Sequence, residues 1–149
     1  MNWLLDTCVL AEYTRRSPQA SVIAWLDAQP ESALYVSAVS LAELNKGIVK
    51  LAARESAASA PLGRAAKLAV WLARLRQRFE GRVLAVDESV WQHWAHQDAQ
   101  AQLAGQAISP MDGLIMATAQ SRGLGLVTRN TADFARYPQV FNPWQTDET

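Results

Sequence analysis

Ser109 to Phe134 read SPMDGLIMATAQSRGLGLVTRNTADF, and the rest of the chain is understood from this stretch. Ser109 suits a helix N-cap, and Pro110 suits the first helical position, where no backbone donor is needed. Leu114, Ile115, Ala117, Thr118 and Ala119 carry the helix, and Gly123 stands where a C-terminal glycine belongs. Leu124 to Thr128 is a short apolar run, which predicts a strand covered on both faces. Asp112 falls in the first helical turn and Asp133 just past the strand. In sheets built this way, ligands gather outside the carboxyl ends of the strands.

Upstream, the same alternation repeats. Trp3–Leu5 predicts a strand, followed by helices over Cys8–Arg15 and Gln19–Ala28. Leu34–Ser37 predicts a second strand. A long helix follows from near Ser40, with Leu41, Leu44, Ile48 and Leu51 at helical spacing. Ser56–Gly63 reads as a loop around Pro61, and Arg64–Phe79 as a helix buried through Ala65, Leu68, Leu72, Leu75 and Phe79. Val83–Val86 is the third expected strand, and a helix opens at Asp87 or Glu88 and runs to about Leu103. Gln139–Phe141 is a last short strand before a polar tail. Strands separated by helices imply an α/β fold with a parallel sheet.

A chain of 149 residues fits one domain, expected to span 1–149. No apolar run is long enough to cross a bilayer, so no membrane partner is expected. The start, MNWLLDT, does not read as a secretory signal, and the single cysteine, Cys8, suits a reducing cytosol. Net charge is zero, yet nine of the fourteen basic residues lie between Lys46 and Arg82 with only two acids, Glu55 and Glu80. This makes a local basic surface, in which Lys46, Lys50, Arg54, Arg64, Lys67, Arg74 and Arg78 are candidate phosphate contacts. Solvation of an ordinary charged face is the competing reading. His93 and His96 read as surface histidines, and the six tryptophans mostly as core, with Trp71, among Arg and Lys, the least settled.

Each candidate acid has an ordinary structural role open to it. Asp6 suits a helix N-cap. Glu43, early in its helix, favours the helix dipole as a solvated glutamate. Asp112 completes a capping box with Ser109, and Asp133 caps a turn after Thr131. Their joint placement argues for more. Loops after parallel strands share one sheet edge, which would bring Asp6, Glu43 and Asp133 towards Asp112. Carboxylates gathered together repel one another and raise each other's pKa. A hard divalent cation removes that penalty, and an all-oxygen set selects Mg²⁺ or Mn²⁺. Such ions support phosphodiester hydrolysis by activating water and stabilising the leaving oxygen.

The residues also resemble a known family. Leu4-Leu5-Asp6-Thr7, Ser37 with Ser40-Leu-Ala-Glu43-Leu44 and Gly47, Pro110-Met-Asp112 through Ala119, and Val127-Thr-Arg-Asn130 with Asp133-Phe134 resemble PIN-domain proteins. The nearest subgroup is the VapC-like toxin ribonucleases of bacterial toxin–antitoxin pairs, to which Asn142-Pro143-Trp144 also points. The resemblance implies a three-layer α/β/α fold with a central parallel sheet. It implies Asp6, Glu43, Asp112 and Asp133 as the catalytic metal site, with Thr7, Thr128 and Asn130 in support. It further implies an endoribonuclease needing Mg²⁺ or Mn²⁺, a cytoplasmic location, a homodimer, and a small antitoxin whose C-terminal segment covers the acidic cleft. Relatives carry Asn or Ser where Cys8 stands, so a catalytically silent PIN-like module binding RNA or protein is the alternative. A phosphatase with Asp6 as nucleophile would need a second aspartate at the position of Cys8.

Overall fold

The computed structural model describes residues 1–57 and 62–145. The middle of the expected loop around Pro61, and the polar tail from residue 146, lie outside the described residues. Five parallel strands form one sheet: β1 (Trp3–Leu5), β2 (Leu34–Ser37), β3 (Val83–Leu84), β4 (Gly125–Val127) and β5 (Val140–Phe141), in the order β3-β2-β1-β4-β5. The helices are α1 (Thr7–Glu12), α2 (Ala20–Ala28), α3 (Ala38–Ser56), α4 (Arg64–Arg78), α5 (Glu88–Leu103) and α6 (Pro110–Arg122).

Strand periodicity sorts the core into two layers. Leu5, Val36 and Val127 face one side and pack with Val9, Leu10, Val22, Leu26, Leu72 and Leu75 from α1, α2 and α4. Leu4 and Leu126 face the other side and pack with Leu114, Ile115, Met116 and Ala119 of α6, backed by Trp94 of α5. The expected α/β/α layering with a parallel sheet is therefore the observed fold. β4 begins with a glycine for a packing reason: a Cβ on Gly125 would come within 2.5 Å of the Trp3 ring. That ring meets Trp25 edge-on, with centroids 5.4 Å apart.

Several boundaries moved, each for a local reason. α3 begins at Ala38, because the Ser37 hydroxyl caps it by accepting the Val39 N–H. α1 stops at Glu12, whose buried carboxylate accepts the Gln19 N–H ahead of α2. Glu55 likewise turns back at the end of α3 to accept the Ala65 N–H in the first turn of α4. Gly123 takes the left-handed conformation expected of it, φ 63°.

Strand order reverses at the centre of the sheet. From β1 the chain builds outward through β2 to β3, and β4 and β5 are added on the other side. The carboxyl ends of β1 and β4 therefore diverge into separate loops at a topological switch point, where α/β sheets open a crevice.

Candidate active site

Asp6 is the first residue after β1, and its N–H donates to Val127 O of β4 at 2.9 Å. Its side chain is 4 % exposed. Oδ1 accepts the Thr7 N–H at 2.7 Å, and Oδ2 accepts the Thr128 hydroxyl at 2.7 Å. The Cys8 thiol lies 3.6 Å from the same Oδ2. Asp6 is thus the cap of α1 and also lines the cavity at the switch point.

Glu43 arrives from α3. Thr7 Oγ1 stands 2.9 Å from Glu43 Oε1 and 2.9 Å from the buried Ser40 hydroxyl. The carboxylate is the stronger acceptor and takes the Thr7 proton. Asp112 enters from the first turn of α6. The expected capping box takes another form: Ser109 makes no side-chain cap and instead donates its hydroxyl to Asp112 Oδ2 at 2.8 Å. The hydroxyl is thereby spent on orienting the carboxylate.

Asp6, Glu43, Asp112, Thr7, Cys8, Ala11 and Asn130 line one cavity of about 300 Å³. Burial is the main force raising the Asp6 carboxyl above its ordinary value, and the Asp112 charge adds to it against the bonds from Thr128 and Thr7. Burial also raises Glu43, with Asp6 and Asp112 adding their repulsion; the Thr7 hydroxyl and the Lys46 charge pull the other way. The Cys8 thiol is pushed up to about 11 by burial and by Asp6, so it stays protonated beside the carboxylates. All acidic donors are hard oxygens, the chemistry that suits Mg²⁺ or Mn²⁺. Among the described residues, no three His, Cys, Asp or Glu side chains stand close enough to enclose one ion as placed.

Asp133 does not join this cavity. It is exposed on a short 3-10 turn, Thr131–Phe134, and lines a neighbouring cavity on the far side of Asp112. Its backbone N–H donates to Asn130 O at 3.0 Å within that turn. Thr128 and Asn130 do reach the site: Thr128 is fully buried and accepts the Asn130 N–H at 3.0 Å while holding Asp6.

Lys46 and Lys50 are exposed on α3, and Lys67 and Arg74 on α4. Arg54 and Arg64 line a groove between the two helices that begins at Glu43 and contains Trp71. Arg78 has a structural position instead. Its guanidinium pairs with Glu31 at 2.8 Å and lies over the Tyr13 and Phe79 rings, so it is tied into that cluster. His93 and His96 are exposed as expected, and five of the six tryptophans are at least partly packed.

Ser40, buried behind the site against the Thr7 hydroxyl, is a supporting residue that reading the acids alone missed. The signal for Ser40 was its spacing: three residues before Glu43 puts it on the same face of α3. Cys8, flagged by its place after Asp6-Thr7, lies within reach of Asp6 and also of Thr128, which is 120 positions away.

A parallel sheet with acids gathered at its switch point, drawn from the end of β1 and the early turns of α3 and α6, is the arrangement of a PIN domain. The PIN domain family model matches residues 3–140, and the chain belongs to that family. Among its relatives is the VapC ribonuclease Y4jK of Sinorhizobium fredii, 35 % identical over 147 residues, covering 95 % of this chain and 97 % of that protein. Another is the toxin FitB of Neisseria gonorrhoeae, 37 % identical over 146 residues, covering 95 % and 97 %. The crystal structure of FitAcB from Neisseria gonorrhoeae superposes with a TM-score of 0.81 at 35 % identity, covering 97 % of this chain and 99 % of that one.

Proposed function

We propose that the chain is an endoribonuclease that hydrolyses RNA phosphodiester bonds with Mg²⁺ or Mn²⁺, and that it is the toxin of a toxin–antitoxin pair. The observation that carries this reading is the cavity where Asp6, Glu43 and Asp112 meet, with two of the three carboxyls raised by burial and mutual repulsion. Uncompensated acids at the ligand-binding edge of a sheet are costly to a fold and useful to a metal site. The relatives named as a VapC ribonuclease and as a toxin support the same reading. The similar structures at 34 and 35 % identity are those of FitAB bound to a DNA fragment and of FitAcB.

Asp6, Glu43 and Asp112 would hold the ion. When bound, the ion supplies a water of lowered pKa and offsets charge on the phosphate. The chain's own residues provide orientation. Thr7 N–H and the Thr128 hydroxyl fix both oxygens of Asp6, and the Thr7 hydroxyl fixes Glu43. Asn130 also lines the cavity, and its side-chain amide would be the group to donate to a phosphate oxygen. The exposed Lys46 and Lys50, with Arg64 and Lys67, supply the basic surface for the RNA backbone. The same reading includes a homodimer and a small antitoxin whose C-terminal segment covers the acid cavity.

The test is direct. Purified protein should cleave single-stranded RNA with Mg²⁺ or Mn²⁺ and not in chelator. Saturating Mn²⁺ should raise the melting temperature, because an ion at about a hundred times its Kd stabilises the folded state by about 2.7 kcal/mol. Absence of both cleavage and a melting shift would leave the silent-module alternative.

A further inference from the structure

The cavity on the far side of Asp112 has a composition of its own. It measures about 390 Å³, within the range of small-ligand sites, and Asp112 lines both it and the acid cavity. The two spaces therefore share a wall at the reacting centre. Arg136 supplies the cation, and its Nη1 donates to Gln106 Oε1 at 3.0 Å. That bond holds the guanidinium in place and leaves its remaining N–H groups for another acceptor. Asp133 supplies an exposed carboxylate, and Ile108 a half-buried apolar surface. Ala132 and Ala135 keep the wall low.

A free phosphate ion suits this pocket poorly, because Asp112 and Asp133 would repel it. A nucleotide suits it well. Its phosphate matches Arg136, its sugar hydroxyl or base amino group donates to Asp133, and its base covers Ile108. From this match we infer that the cavity is a subsite for the nucleotide flanking the scissile phosphate, with Arg136 as phosphate contact and Asp133 as the group that reads the sugar or base. This rests on the ribonuclease reading above and assigns Asp133 to substrate rather than to metal. It also places cations on both sides of the acids: Arg64 in the groove beyond Glu43, and Arg136 beyond Asp112. An RNA strand crossing the carboxylates is then held at each end.

The experiment is fluorescence anisotropy of labelled single-stranded RNA over a salt series, in chelator and with Ca²⁺, for the wild type, Arg136→Gln, Arg136→Lys and Asp133→Asn. Arg136→Gln should weaken binding about tenfold, the scale of one charge-assisted contact. It should also flatten the slope of log K against log salt by about 0.7, the value for one phosphate contact on a single strand. Arg136→Lys should restore the slope. Asp133→Asn should leave the Mn²⁺-induced melting shift intact while narrowing the preference for RNA over the matching DNA. Unchanged affinity and slope in Arg136→Gln, with the wild type binding RNA, would overturn the subsite and leave the ribonuclease reading standing. Loss of the Mn²⁺ shift in Asp133→Asn would return Asp133 to the metal and overturn its role here. A wild type that binds no RNA in either condition would remove the ribonuclease reading and the subsite with it. Weakened binding of the antitoxin alone would make the pocket a protein interface, against the proposal.

Discussion

The acid cavity and the cluster around Glu31 use the same chemical group in opposite ways. At Glu31 one carboxylate meets two guanidiniums, Arg78 at 2.8 Å and Arg82 at 3.0 Å, and these pull its carboxyl from 4.5 down to about 2. In the cavity, burial raises Asp6 and Glu43, the Asp112 charge adds to both and Asp6 adds to Glu43, with hydroxyls and one lysine in partial compensation. The first arrangement is complete within the chain. In the second the chain offsets its own carboxylates only in part, and raised carboxyls in a cavity are what the proposed ion site would use.

The largest expected effect tests the cavity side of this contrast. Asp112→Asn removes one of three charges, and cleavage should fall by roughly 10³-fold, the scale for losing a group that stabilises transition-state charge. In chelator the variant should melt at the same temperature as the wild type or higher, because a repulsion has been relieved. A variant that melts lower yet cleaves normally would make Asp112 a structural residue like Glu31. On the other side, Arg82→Ala should cost about 2 kcal/mol in denaturant unfolding. Arg82 is largely buried, donates to the carbonyls of Glu31 at 2.6 Å and Leu34 at 2.7 Å, and lies over Phe79. RNA cleavage should be unaffected.

A smaller effect distinguishes the two regions by the sign of their pH dependence. The raised carboxyls of Asp6 and Glu43 keep protons in the folded state that the unfolded chain has released above its ordinary values of 3.8 and 4.5. Stability from this site is therefore present below those values and lost as pH rises through the raised ones. Glu31 contributes stability above 4.5 that disappears as pH falls towards about 2. In chelator, the melting advantage of Asp112→Asn over the wild type should grow as pH rises from about 4 to 7. A difference that stays flat with pH would mean that the acids do not feel one another. The smallest expected effect is Glu31→Gln. The Glu31 side chain is 49 % exposed, so solvent screening should limit the loss to about 1 kcal/mol or less, measured by the same unfolding curves.

The alternation of strand and helix, the Gly123 stop and the apolar run into Thr128 were local signals, because each depends on residues within a turn or two of one another. They determined the layered fold with its parallel sheet. The carboxyl-end placement of Asp6 and Glu43 followed from the fold, since parallel strands share one edge. What the chain could not announce locally was which acids face the same space. Asp133 and Asp112 both flank the same helix–strand unit, yet only Asp112 lines the cavity, while Asp133 sits on the short 3-10 turn beside it. Arg78 carries the same charge as Arg64, yet α4 packs its end against Glu31 and Tyr13 and ties Arg78 into that cluster. Thr128 and Asp6 are 122 positions apart and share one hydrogen bond at 2.7 Å. Only tertiary packing decides such pairings, because whether a polar group ends buried, paired or facing a ligand depends on what the rest of the chain brings beside it.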